Sequence, residues 1–534
     1  MLLFAILQLF SLPAIAQDAA TDFLSADFHR GRRELVRKMM PENSVAVFFA
    51  NAERNRANDV DYIYHQNPDF YYLTGYKEPN AVLLIFSEDQ NDGSNSVYDE
   101  VLYVQERDPR AEQWNGKRLG VEGAKSTLGF KTVFNGSEFA KASTEFKNFD
   151  SVLFFDFEND YRDSKDTADL FDLIRNFKEK TDYPADYDPA KQRLYTMIKS
   201  TDVENSANVA QTLGRYLSND DKLKEDALLS GFVNATDDNL RSEIKAKVDL
   251  ELSANNLNSS KLSEIMSTLR ETKTEAEMAL LKKAVEISAV GQVEVMKAMH
   301  PKMSETEIQG VHEFVYKKYG AEYEGYPSIV GGGNNGCILH YIENSKPEVG
   351  DDLVLMDLGA EYHGYTADVT RTIPANGKFT KEQKQIYDIV YNAQEAGIKA
   401  SVVGAPFQAP GQAASQVVTE GLLQLGIIEK DDESRTYFPH GTSHYLGLDV
   451  HDKGTYQAFK PNTVITVEPG IYIPEGSDCD KKWWGIAVRI EDDILITDDG
   501  PVNLSAMAPR TTKEIEKVMS QSSALEDFEL PVLN

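Results

Sequence analysis

The run Leu353-Val-Leu-Met-Asp-Leu-Gly-Ala-Glu-Tyr-His-Gly-Tyr-Thr-Ala-Asp-Val-Thr-Arg-Thr-Ile373 sets one carboxylate inside an apolar strand and another at the head of the next. Asp357 interrupts Leu-Val-Leu-Met-Asp-Leu, and Asp368 lies just before Val-Thr-Arg-Thr-Ile. The stretch between them, 359–364, reads as a hairpin turn, so the two strands fold with their carboxylates side by side. Burying two like charges is costly unless a cation neutralises them. Glu468 likewise follows an apolar strand, in Val-Ile-Thr-Val-Glu-Pro-Gly. Arg489 and Glu491 stand two apart in Ile-Ala-Val-Arg-Ile-Glu-Asp-Asp-Ile, which period-2 geometry places on one face of a strand. Any one of these alone fits a salt-bridged or edge-strand residue; together they ask for a cation.

The surroundings of this run define a domain over about residues 270–520. Thr274-Glu-Ala-Glu277 is a capping-box pattern opening an amphipathic helix, with Met278, Leu281, Ala284, Val285 and Ile287 at a 3.6 period. A second helix is expected at 304–319. Strands at 353–358, 369–373, 464–467 and 486–496 follow, with helices at about 381–400 and 409–425 between the middle ones. This is an α+β pattern built mainly from antiparallel hairpins. Upstream, apolar runs at 45–50, 81–86, 101–104 and 152–155, separated by polar and helical stretches, predict an α/β domain over 25–180. Residues 27–38 read as its first helix. Between the two domains, 181–268 loses strand-like runs and reads as a helical insertion.

The chain has 534 residues, 41% hydrophobic and 26% charged, which is globular rather than disordered. Lys plus Arg number 55 against 86 Asp plus Glu, a formal charge of -31. A surface that negative repels phosphate backbones and anionic lipid, so nucleic acid is excluded as a partner. Two cysteines exclude a disulfide framework or a Cys-rich zinc site and leave one optional bridge, Cys337 to Cys479. The first sixteen residues, MLLFAILQLFSLPAIA, carry no charge and end in Ala14-Ile15-Ala16, the small-x-small form of a signal-peptidase site. Residues 1–16 are therefore expected to be a signal peptide that exports the chain to the periplasm or outside the cell. The stretch is too short and interrupted for a membrane span, and no membrane association is expected after its removal.

Only nine histidines occur, and four of them are His340, His440, His444 and His451. The last three fall within twelve glycine-rich positions, close to strand carboxylates. Oxygen donors with one or two imidazoles suit Mn, Co, Fe or Zn. Two such ions about 3.5 Å apart would activate a shared water and polarise a carbonyl.

At this point the C-terminal half resembles the pita-bread metallopeptidases: aminopeptidase P, prolidase and methionine aminopeptidase. Their ligand order Asp, Asp, His, Glu, Glu falls on Asp357, Asp368, His444, Glu468 and Glu491. The resemblance implies that Asp357 ligates the first metal, that His444 and Glu468 ligate the second, and that Asp368 and Glu491 bridge them. No ligand position is substituted, unlike the creatinase branch, where the fold works without metals. Within this group the closest resemblance is to aminopeptidase P (Xaa-Pro aminopeptidase). It rests on 333–341 around His340, on the histidine loop 440–451, and on 61–79 in a domain similar to that family's non-catalytic N-terminal domain. It covers roughly 30–180 and 265–520 and fails over about 185–260.

The family roles carry over as expectations. His340 and His451 would flank the scissile bond and stabilise the tetrahedral intermediate. His440 would line the proline pocket. Arg489 would orient His451 or a site carboxylate. Glu468 would also serve as general base. Tyr472 and Thr370 are expected to support ligands through hydrogen bonds. The cofactor expected is a pair of divalent ions, Mn first, then Co or Zn. The reaction implied is hydrolysis of the N-terminal Xaa-Pro bond of peptides with proline in second position, by a homo-oligomer. Prolidase action on Xaa-Pro dipeptides is the nearest alternative, and an inactive peptide-binding relative is a third. Methionine aminopeptidase is disfavoured because it lacks a domain like 30–180. Cys337 is expected in a buried strand, and Trp483 and Trp484 on a loop rimming the site or a subunit contact.

Overall fold

The computed structural model describes residues 22–91, 97–157 and 161–525; the proposed signal peptide lies outside them. The N-terminal unit is a six-stranded mixed sheet. Its order is Val133–Asn135, Val97–Val104, Val82–Asn91, Ser44–Phe49, Ser151–Phe154, Leu257–Asn258. The apolar runs form strands because alternate side chains feed two cores. Ala46, Phe48, Leu83 and Ile85 face the main core, while Val45, Val47, Val82, Leu84 and Phe86 pack on Phe177 and Leu173 of helix Leu170–Lys180. The helix Ala26–Met39 opens with Ser25 accepting from the Phe28 N–H.

Residues 189–252 form a bundle with a separate core around Leu194, Ile198, Leu213, Leu229, Phe232 and Val248. The expectation of a helical insertion with loops over 181–268 is corrected at its end. Leu257–Asn258 is a strand that pairs in parallel with Val152–Leu153, so the insertion returns the chain to the edge of the N-terminal sheet. A two-residue strand leaves no periodic signal, and pairing geometry alone creates it.

In the C-terminal half every described strand pairing is antiparallel. Helices Glu275–Ala298, Glu305–Lys318, Lys381–Ala400 and Ala409–Gln424 pack around short sheets, giving the expected α+β architecture. Thr274 and Glu277 make the reciprocal capping box, and Met278, Leu281, Ala284, Val285 and Ile287 are all buried. The hairpin between the two aspartates turns at His363 and Gly364, both with positive φ (51° and 89°), the backbone of a two-residue turn. Gly359 is required by close approach: a Cβ there would lie 1.7 Å from the Ala367 carbonyl oxygen.

The run 486–496 is not one strand. Ile486–Arg489 pairs with Gly470–Ile473, and Asp492–Thr497 pairs with Val464–Val467. The break follows from Arg371, fully buried, which donates to the carbonyls of Thr370 and Glu491 and to the Asp492 carboxylate. The Glu491 N–H in turn donates to the Thr370 carbonyl. The chain thus changes sheets at Glu491. Among the described residues no helix is long and apolar enough to cross a membrane.

A buried ion network joins the two halves. Arg270 lies 2.7 Å from Asp69 and 2.5 Å from Asp452; Lys273 pairs with Asp452 and Lys453 with Asp69. Burial works against the charge on Asp69, but Lys453 and Arg270 hold its carboxyl below the usual range. Arg270→Met strips both carboxylates of their shared partner. It should cost about 3–5 kcal/mol in chemical denaturation.

His312 supplies a pH signature. It is fully buried, neither ring nitrogen has a hydrogen-bond partner among the described residues, and burial pushes its pKa down to about 3. Its folded pKa lies below the unfolded value of about 6.5. The neutral ring therefore contributes stability above that pH, and this is lost as pH falls towards 3. His312→Leu should flatten the dependence of Tm on pH across that window; an unchanged slope would contradict this.

Candidate metal centre and active site

The two-strand ladder sets the floor of the site. Asp357 pairs across from Thr370 on Val369–Pro374, and Asp368 immediately precedes that strand. The second sheet brings Glu468, one residue past Val464–Val467, and fixes His444, whose N–H donates to Thr466 Oγ1 and whose carbonyl accepts from the Thr466 N–H. Glu491 comes from the point where the chain changes sheets. His340, Asp357, Asp368, His440, His444, His451, Glu468, Arg489 and Glu491 all line one cleft of about 570 Å³.

Distances order these groups. Tyr326 sits between the two aspartates, its hydroxyl 2.6 Å from Asp357 and 2.5 Å from Asp368. His444 Nε2 lies 3.5 Å from Asp368 and 3.4 Å from Glu468. Potential ligand atoms of Asp368, His444 and Glu491 all fall within 4.8 Å of one another. Thr370 Oγ1 donates to Glu491 at 2.6 Å, as a support for a ligand should. Arg489 donates to Asp357 at 2.6 Å and to the Tyr472 hydroxyl at 2.8 Å. Of the two partners expected for Arg489, it takes the carboxylate rather than His451.

The Tyr472 hydroxyl, accepting from Arg489, is left to donate to His440 Nε2 at 2.7 Å. His440 Nδ1 meets the Gly441 carbonyl at 2.6 Å and so carries the proton. These partners assign His440 as a neutral ring, consistent with burial lowering its pKa. His451 stands edge-on to His444, ring centroids 4.3 Å apart. His340 is exposed at the rim, in the turn after the short helix Gly333–Cys337.

The site holds more negative charge than its cations balance. Burial and Asp357 push Asp368 up to about 7. Burial, then Asp368, Glu468 and Asp357, push Glu491 well above the carboxylate range. Burial opposes the charge on Asp357 too, but Arg489 holds it below the usual range. His444 rises to about 9 against its own burial because Asp368 and Glu468 face it. Four carboxylates, one imidazole and no thiolate, with protons standing in for missing positive charge, fit hard or borderline divalent cations.

Two residues were not anticipated. Tyr326 lies ahead of its strand, where no periodicity marks it. Asp493 is buried behind Asp368, one oxygen accepting the Asp368 N–H at 3.2 Å and the other without a partner among the described residues; burial and Asp368 raise its pKa well above the carboxylate range. Its spacing of two from Glu491 was the available signal. Two expectations are corrected, and the open question of a cysteine bridge is answered. Cys337 lies in the short helix Gly333–Cys337, not a strand, half-buried near Tyr341 and Leu355, and burial pushes its thiol up to about 12. Both cysteines are free. Trp483 is core, and Trp484 donates to the Ser477 carbonyl; neither lines the cleft.

Antiparallel hairpins converging five ligand-type side chains, beside a separate mixed-sheet domain, define a pita-bread metallopeptidase. The model of metallopeptidase family M24 matches residues 279–498, and that of the aminopeptidase P N-terminal domain matches 28–153. The chain is 33% identical to Xaa-Pro aminopeptidase of Escherichia coli over 505 residues, covering 92% of this chain and 97% of that protein. Among solved structures, Pseudomonas aeruginosa aminopeptidase PepP superposes with a TM-score of 0.73 at 29% identity, covering 93% of this chain and 98% of that one. Zn-substituted E. coli aminopeptidase P in complex with product gives 0.72 at 32% identity, with the same coverage. The chain belongs to the aminopeptidase P family of M24 metallopeptidases.

Protons on Asp368, Glu491 and His444 compete with a divalent cation for the same atoms. Apparent Mn affinity, measured by calorimetry, should therefore fall as pH drops below about 9, where His444 takes up its proton, and more steeply below about 7, where Asp368 does, with protons released on binding. A pH-independent affinity would contradict the charge account.

Proposed function

We propose that the chain removes the N-terminal residue from peptides whose second residue is proline, with two divalent ions held by Asp357, Asp368, His444, Glu468 and Glu491. One observation carries this: a single cleft gathers those five side chains, three histidines and an apolar wall of Ile329, Leu339, Ile342 and Val450. When bound, the ions supply Lewis acidity toward the scissile carbonyl and toward the attacking water.

The chain's own groups do the rest. A bond before proline has no N–H, and its ring blocks strand-like docking. The apolar wall takes that ring, with His440 fixed beside it by Tyr472. Glu468, half-buried and steadied by Thr466 at 3.2 Å, accepts the proton of the attacking water and passes it to the leaving proline nitrogen. His340 and His451 donate to the oxygen that gains charge. Arg489 is a positioning residue, holding Asp357 ionised. Carboxylate-rich donors favour Mn, with Co and Zn as substitutes. Residues 1–16 direct export, with cleavage before Gln17, and the enzyme works as a homo-oligomer.

Mature protein from Gln17 should release Ala from Ala-Pro-Ala. Chelator should abolish the reaction and added Mn, Co or Zn restore it, while Glu468→Gln should lower kcat by about 100-fold or more. Cleavage of Ala-Pro alone would make the chain a prolidase. No cleavage with any metal would leave a peptide-binding protein.

A further inference from the structure

The histidine loop faces two cavities. His451 lines the catalytic cleft, and the same residue, with Asp449 and Lys453, lines a second and larger one of about 930 Å³. The apolar part of its wall includes Phe49, Phe157, Tyr161, Leu170 and Ile174 of the N-terminal domain. Another part is helix Pro189–Ser200, which brings Pro189, Ala190 and Arg193. That helix lies in the stretch that neither family model matches.

The charges in this second cleft are unevenly engaged. Asp69 is held by Arg270 and Lys453, and Glu264 by Lys261. Asp449 accepts the His451 N–H at 2.9 Å. Arg193 is exposed in the cleft and makes no ion pair among the described residues, although its charge acts on Asp156, which lines the same cleft, as does Arg54. A substrate whose scissile bond lies in the catalytic cleft has a remainder that must leave it, and His451 walls both that cleft and the second, partly polar one, where the Arg193 guanidinium stands exposed. Guanidinium and carboxylate match as a two-pronged pair.

We infer that this cleft receives the peptide beyond its proline and that Arg193, on the inserted helix, takes up a carboxylate there. That carboxylate is the peptide's own C-terminus or a downstream acidic side chain. The inference rests on the Xaa-Pro reading above. It assigns the insertion a part in selecting substrate length and charge. An extended chain advances about 3.3 Å per residue, so a tripeptide stays near the catalytic cleft while longer peptides reach further into the second.

The test is kcat/KM for Ala-Pro-Ala and for peptides extended stepwise by up to five more alanines, each as free acid and as amide. Amides ending in Asp form a further arm. The enzyme is the metal-loaded full mature chain, as wild type and as Arg193→Glu, Arg193→Ala and Arg193→Lys. At the length that reaches Arg193, the ratio of long to tripeptide kcat/KM should fall about 5-fold in Arg193→Glu. It should fall less in Arg193→Ala and be kept in Arg193→Lys. Loss of the effect on amidation would identify the C-terminus, and its return in Asp-ending amides the side chain. A ratio unchanged in Arg193→Glu at every length, with Ala-Pro-Ala still cleaved, would overturn this inference alone. Failure of the wild type to cleave Ala-Pro-Ala would overturn the Xaa-Pro reading and this inference with it.

Discussion

The constraint on which the structure turns is the crowding of carboxylates at the meeting point of two sheets. Asp357, Asp368 and Glu491 are buried, Glu468 is half-buried beside them, and Asp493 stands behind. Arg489 and His444 are the cations that face them. Such a cluster survives burial only with protons or metal ions among its oxygens. The features around it serve that end: Tyr326 between two aspartates, Thr370 on Glu491, and Arg371 holding the chain where it changes sheets.

The same logic of charge placement joins the domains. The Asp69, Arg270, Asp452, Lys273 and Lys453 network ties the N-terminal helix Pro68–Thr74 to the linker helix Lys261–Glu271 and to the histidine loop. The loop that presents His451 to the catalytic cleft is therefore anchored two residues away by ion pairs to the other domain. The second cleft lies along this joint, walled by the non-catalytic domain, the insertion and the histidine loop together.

Much of this was legible in the sequence because charge in an apolar strand is a strong local signal. Asp357 and Asp368, Glu468 after its strand, and the clustered histidines all stood out, as did the Thr274 capping box. What was not legible depends on tertiary geometry. Tyr326 reaches its aspartates only after the strand beside it has folded. The break at Glu491 is imposed by Arg371, 120 residues away in sequence from the carbonyl it holds. The strand Leu257–Asn258 exists because an edge was open to it, and Trp483 is buried despite polar neighbours in sequence.

The central claim is that this carboxylate cluster is a two-ion site. Metal content of chelator-stripped protein reloaded with Mn and freed of excess tests it most directly, read by elemental analysis with electron paramagnetic resonance. The account predicts two equivalents per chain with a spin-coupled signal, and loss of the coupling in Asp368→Asn. A single uncoupled equivalent, or coupling that survives Asp368→Asn, would contradict it.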